Sequence, residues 1–170
     1  MMSKILKFFN RLWCAYLECI WNWLPANIQA LKYRKQKKEA LEFLERLKKL
    51  APNYSAISRL LVDERFQWDQ DPLGGLLDFH QKPWVTCARK AGDCEDFAYL
   101  WAEILVDLDK TEKLVSVSKK LKGHMMCIHL TGDMCYLLSN LREIKHVHTE
   151  LKTTLETEFY REDTLYSFTF

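Results

Sequence analysis

The sequence predicts an α+β fold, and three observations carry that reading. Apolar residues recur at three- and four-residue steps through the first two-thirds of the chain, the period of a helix with one buried face. Beyond about residue 114 the period falls to two, the signature of half-buried strands. Between the two regimes, Ala91-Gly92-Asp93-Cys94 leads into the most regular of the helical stretches. At 170 residues and 48% apolar content, the chain is long enough for one sizeable core and too apolar for a disordered protein.

Taken in order, residues 3–24 place Lys4, Lys7 and Arg11 around an apolar stretch, as a leader would. Asn10, Arg11, Glu18 and Asn22 interrupt it, so neither a bilayer span nor a convincing signal peptide results, and a cytoplasmic protein is expected. Ile5, Phe9, Leu12, Tyr16, Ile20 and Trp23 instead make the stripe of an amphipathic helix. Pro25 and Asn27 are expected to end it. A charged helix follows from about Leu31 to Leu50, with Leu41, Leu44, Leu47 and Leu50 on one face, closed by Ala51-Pro52-Asn53. Residues 1–52 therefore read as a basic helical extension, and residues 53–170 as the domain proper.

A short helix from Ser55 to about Arg65 leads into Phe66-Gln67-Trp68. Asp69 to Pro83, with two prolines and a Gly-Gly pair, reads as an irregular loop of the length that is often functional. From Asp93 to about Asp109 a helix is predicted, with Phe97, Leu100, Trp101, Ile104 and Leu105 on its buried side. Asp93 stands at the N-cap and Asp96 in the capping-box position. Strands are predicted at Leu114–Ser118, His124–Leu130 and Cys135–Leu138, the last two joined by a turn at Thr131-Gly132-Asp133. An edge strand is predicted from Thr164 to Phe170.

Net charge is +2, but eleven Lys/Arg stand against four Glu in the first fifty residues, leaving the remainder acidic. That asymmetry suits contact of the N-terminal helices with an acidic partner protein or a membrane surface, or a plain solvated face. Nothing in it points to nucleic acid. The six cysteines show no framework spacing and no CxxC, so reduced thiols are expected.

A cysteine in the first turn of a helix meets unpaired N–H groups and the positive end of the helix dipole, both of which favour thiolate, the form that attacks carbonyl carbon. Thirty residues on, His124 opens a strand that can return to the helix start and accept the thiol proton. Asp93, Glu95 and Asp96 work against the dipole by raising the thiol pKa, unless they are spent on capping or bind a cation such as calcium. The competing account makes Cys94 an inert buried thiol and Asp93 a simple cap. His129, five residues from His124, is expected on the opposite side of the strand; His146 and His148 are expected at the surface, and Asp133 in a turn.

The run Gly92-Asp93-Cys94-Glu95-Asp96-Phe97-Ala98 resembles the signature of the bacterial transglutaminase-like cysteine proteinases, of the papain-like transglutaminase superfamily. Phe66-Gln67-Trp68-Asp69, Asp78-Phe79 and Pro83-Trp84 resemble the family's lead-in, and Gly123-His124-Met125-Met126-Cys127-Ile128 its histidine strand. The likeness spans residues 57 to 141. It implies a papain/transglutaminase-like fold with the nucleophile helix packed on an antiparallel sheet, Cys94 as nucleophile and His124 as general base. In calcium-dependent members the metal ligands include the acids at Asp93 and Glu95. The family's third residue is an Asp, whereas this chain has Leu138-Ser139-Asn140, so Ser139, or else Asn140, must serve there. The implied function is a thiol-dependent amide hydrolase or acyl-transferase acting on a protein or peptide. The alternative is a weakened, transglutaminase-like binding or structural module of a larger assembly.

Overall fold

The computed structural model describes residues 24–70, 81–108, 112–119, 122–131, 134–146 and 164–169. The stripe expected over residues 5–23, most of the loop before Pro83, Asp133 and His148 lie outside them. Helix α1 runs Leu24–Lys32, so Pro25 begins a helix where a break was expected; its fixed φ and missing N–H suit a first turn. A 3-10 turn, Arg34–Gln36, joins it to α2, Lys37–Leu50. On α2 the buried stripe is Ala40, Leu44 and Leu47; Leu41, expected there, is 39% exposed because it sits 100° round the helix from Ala40. Helix α3, Tyr54–Asp63, starts at Asn53, whose side chain accepts the Ala56 N–H at 3.0 Å.

After α3 comes the short strand β1, Gln67–Trp68. Helix α4, Pro83–Arg89, was not foreseen in the sequence, where Pro83 read as the end of a loop; here it begins a helix. Lys90 closes α4 in the left-handed conformation, φ 54°, and turns the chain into β2, Ala91–Gly92. Strands β1 and β2 pair in parallel, Gln67 with Ala91 and Trp68 with Gly92. The Gln67 N–H donates to the Lys90 carbonyl and the Asp69 N–H to that of Gly92, each at 2.9 Å. Those bonds fix the chain just before Cys94.

Helix α5, Cys94–Leu105, is the centre of the molecule. Phe97, Leu100, Trp101, Ile104 and Leu105 are essentially unexposed; each such side chain contributes about 1.5–3 kcal/mol relative to leaving it in water. They share one core with Ala40, Leu44 and Leu47 of α2, with Tyr54, Ile57 and Leu61 of α3, and with Cys127 and Leu138 of the sheet. That core therefore draws on both sides of the residue-52 boundary read from the sequence.

The remaining strands are β3, Glu112–Lys119; β4, Lys122–Thr131; β5, Met134–Ser139; β6, Arg142–His146; and β7, Thr164–Thr169. They form one antiparallel sheet in the order β6-β5-β4-β3-β7. The C-terminal segment is thus an edge strand, as predicted, while β6 is an addition. Helix α5 lies on β4, with contacts to β3 and β5 on either side. Cys127 pairs with Leu138 and turns into the helical core, while their neighbours Ile128 and Leu137 pair with each other and are also fully buried. Both sides of this part of the sheet are therefore covered. Among the described residues no helix is long and apolar enough to cross a membrane.

Candidate active site

Cys94 is the first residue of α5, and the cap that places it there is the one read from the sequence. Asp93 has extended backbone angles, and its Oδ1 accepts the N–H of Glu95 at 3.0 Å and of Asp96 at 3.3 Å. Asp96 answers by accepting the Asp93 N–H at 3.3 Å, completing a capping box. Such a cap contributes about 0.5–2 kcal/mol, and it takes up donors that would otherwise be orphaned. Gly92 precedes it for a steric reason. A Cβ at that position would lie 2.6 Å from the Asp96 Cβ and 2.7 Å from its Oδ2.

The half-buried Cys94 lies near enough to Met125, the residue after His124 on β4, for the Met125 backbone N–H to favour its thiolate. The pairing of β4 with β5 begins at Cys127 and Leu138, so this contact falls just ahead of that ladder. Next to it, His124 Nε2 lies 2.8 Å from Ser139 Oγ, at the end of β5. The helix start, the histidine strand and the third-position strand thus converge. Of the two candidates for the third position, Ser139 makes the bond to His124. Asn140 begins the turn into β6 with φ 52°, its carbonyl accepts the Trp101 indole N–H at 2.8 Å, and its side-chain oxygen is buried without a partner.

The electrostatics are mixed. Burial raises the Cys94 pKa, and the charges of Asp93 and Glu95 push it further the same way. The N–H groups of Met125 and of Cys94 itself pull it back. Burial lowers the pKa of His124. Both net shifts favour the neutral thiol–imidazole pair over thiolate–imidazolium.

His129 belongs to a different cluster. It is buried, its Nδ1 meets the Tyr54 hydroxyl, and Tyr54 also packs on Trp101 and Tyr136. His146 ends β6. Cys87 and Cys127 are buried and outside any disulfide, and burial pushes the Cys87 pKa up to about 12.

As calcium ligands, Asp93 and Glu95 would need further oxygen donors. No group of three or more His, Cys, Asp or Glu placed to hold a metal exists among the described residues. One Asp93 oxygen already accepts two N–H bonds of the cap, and the neighbouring Asp96 accepts from Gln81. These residues do not on their own form a site for the ion. Sequence reading missed Gln81 and Met125. Gln81 sits in an aperiodic loop fifteen residues from its partner, and Met125 acts through its backbone, which carries no residue-type signal.

No protein-family model and no curated protein sequence matches the chain. Fold and site together define an α+β class in which a cysteine at a helix start faces a histidine-bearing antiparallel sheet. Among solved structures the chain is similar to Legionella pneumophila LapG. With the calcium-bound form it shares 16% identity and a TM-score of 0.51, over 79% of each chain. A second LapG structure gives 18% identity and a TM-score of 0.50, covering 81% of this chain and 77% of that one. The likeness shows a common fold.

Proposed function

We propose that the protein is a thiol-dependent amide hydrolase or acyl-transferase of peptidase type, with Cys94 as nucleophile and His124 as its base. The observation that carries this is the convergence at β4: Cys94 at the start of α5 lies near Met125, and one residue away His124 Nε2 is held 2.8 Å from Ser139 Oγ. With Nε2 engaged by Ser139, the proton of the thiol passes to Nδ1. This requires the tautomer in which Nε2–H donates to the serine oxygen. The sulfur then attacks the amide carbon, the Cys94 N–H at the helix start lies beside the developing oxyanion, and His124 returns the proton to the leaving amine. The remaining thioester is released by water, or by an amine acceptor. A protein or peptide substrate fits this chemistry. LapG has a calcium-bound form, so calcium is the ion to test here.

Replacing Cys94 by Ala is expected to abolish amide cleavage and labelling of the site by a thiol-directed probe, with unfolding behaviour close to that of the parent. Undiminished cleavage in that variant would rule the assignment out.

A second reading, a binding or structural module built on the same fold, is favoured by the pKa directions, which disfavour the ion pair. The pH dependence of iodoacetamide labelling separates the two. For the enzyme, labelling at neutral pH exceeds that of a small-molecule thiol and falls when His124 is changed to Gln. For the inert module, labelling rises only above the ordinary thiol pKa of about 8.5 and is blind to His124.

A further inference from the structure

Helix α1 leaves an apolar pair uncovered. Ile28 is 57% exposed and Leu31 66%. At about 100° per residue, Leu31, Ile28 and Lys32 fall within roughly 100° of the helix surface. Lys32 is exposed as well, its ammonium 5.4 Å from the centre of the neighbouring Tyr33 ring. The 3-10 turn that follows presents Arg34 and Lys35, both exposed. From Leu24 to Lys38 the cations are Lys32, Arg34, Lys35, Lys37 and Lys38, and there is no Asp or Glu. Lys82, just ahead of α4, brings one more cation to α1: its ammonium donates to Asn27 Oδ1 at 3.1 Å. The next acids along the chain, Glu39 and Glu42, belong to α2. Glu42 stands 4.0 Å from Lys38; both side chains are largely in water, where such a pair neutralises little. Lys37 turns aside to the Trp84 ring, 5.5 Å away.

We propose that α1 and the turn after it form a docking surface for an anionic lipid membrane, on which the protein lies without crossing it. Ile28 and Leu31 enter the boundary between head groups and acyl chains, while Lys32, Arg34 and Lys35 reach the lipid phosphates. An exposed apolar pair beside cations, with no acid among them, finds both its complements in such a surface, which sets acyl chains and negative charge side by side. An acidic protein surface answers the cations alone. Among the described residues no helix is long and apolar enough to span a bilayer, so α1 lies in the plane of the surface. Docking of this kind is independent of the chemistry at Cys94.

The experiment is co-sedimentation of the full chain with vesicles of phosphatidylcholine, alone or with about one-third phosphatidylglycerol, at about 0.1 M and about 0.5 M salt. Binding to the anionic vesicles is expected to exceed binding to the neutral ones at least about tenfold, and to weaken at high salt. Lys32→Gln, Arg34→Gln and Lys35→Gln together are expected to weaken it roughly a hundredfold, about fivefold per cation. Ile28→Ser with Leu31→Ser is expected to weaken it by about tenfold or more. All five side chains are exposed, so thermal unfolding is expected to match the parent in both variants; should one fail to fold, the other decides. Equal binding to the two kinds of vesicle overturns the proposal. So does anionic binding that neither variant weakens, which would belong to another part of the chain, such as the basic residues Lys4, Lys7 and Arg11. Binding that falls with the cations but is untouched by the two serines would assign the surface to an acidic partner protein, and overturns the proposal equally.

Discussion

Ser139 is the side chain bonded to the proposed base, His124. A serine hydroxyl at 2.8 Å fixes the orientation and tautomer of the ring, but it brings no negative charge to an imidazolium. Burial then leaves His124 with a lowered pKa and Cys94 with a raised one. Changing Ser139 to Asp is expected to reverse both directions, because a carboxylate favours the charged ring and the charged ring favours thiolate. His124 followed by NMR is expected to titrate about one unit higher, and labelling of Cys94 at neutral pH to quicken about tenfold. A His124 titration that does not move would mean that residue 139 does not govern the ring. The residues of the site that declared themselves in the sequence did so by type and spacing. Cys94 and Asp93 stand before a clean helical period, His124 opens a strand, and Ser139 stands in an otherwise matching pattern. Gln81 gave no such sign, because only the fold brings an aperiodic loop against the first turn of α5.

At the scale of elements, α5 is tied to the strand carrying Ser139 through Trp101. Its indole N–H donates to the carbonyl of Asn140, the residue that turns β5 into β6. Trp101→Phe keeps a large ring in the core and strands that carbonyl, so a loss of about 1–3 kcal/mol is expected in urea unfolding. An unchanged midpoint would show that water satisfies the carbonyl equally well. Helices α2, α3 and α5 and strands β3 to β5 were legible because their periods differ, 3.6 against 2, and α5 announced its start by its cap. What was not legible depended on partners. Leu41 looked equivalent to Leu44 until α4 and α5 fixed which arc of α2 is buried, and that arc passes through Ala40. Helix α4 was hidden because a proline can begin a helix as readily as end one. Strand β6 was hidden because Arg142–His146 carries more charge than apolar alternation.

For the molecule as a whole, α2, α3, α4, α5 and the sheet share one core, and a buried thiol in it makes stability depend on alkaline pH. Cys87 has its pKa pushed to about 12 by burial, against about 8.5 in an unfolded chain. Below the unfolded value both states hold the proton and the stabilisation is complete. As pH rises toward the folded value, the unfolded state ionises first, and stability falls by up to about 1.4 kcal/mol per unit. Urea unfolding at increasing alkaline pH is expected to show this slope in the parent and a shallower one in Cys87→Ala. Equal slopes would assign the alkaline loss to other groups. The α+β class was legible at this scale, while the sharing of one core by α2 and the sheet was not, since periodicity says which face of a helix is apolar and never what covers it. The anchors on either side of the segment before α4 have a consequence of another kind. Asp69 is fastened to Gly92 and Gln81 to Asp96, so the described chain on both sides of residues 71–80 is tied close to Cys94. Closing a loop between fixed ends costs only about 0.6 kcal/mol more for each doubling of its length. A change in the number of residues between these moorings is therefore expected to leave the start of α5 in place for as long as the four moored residues are kept.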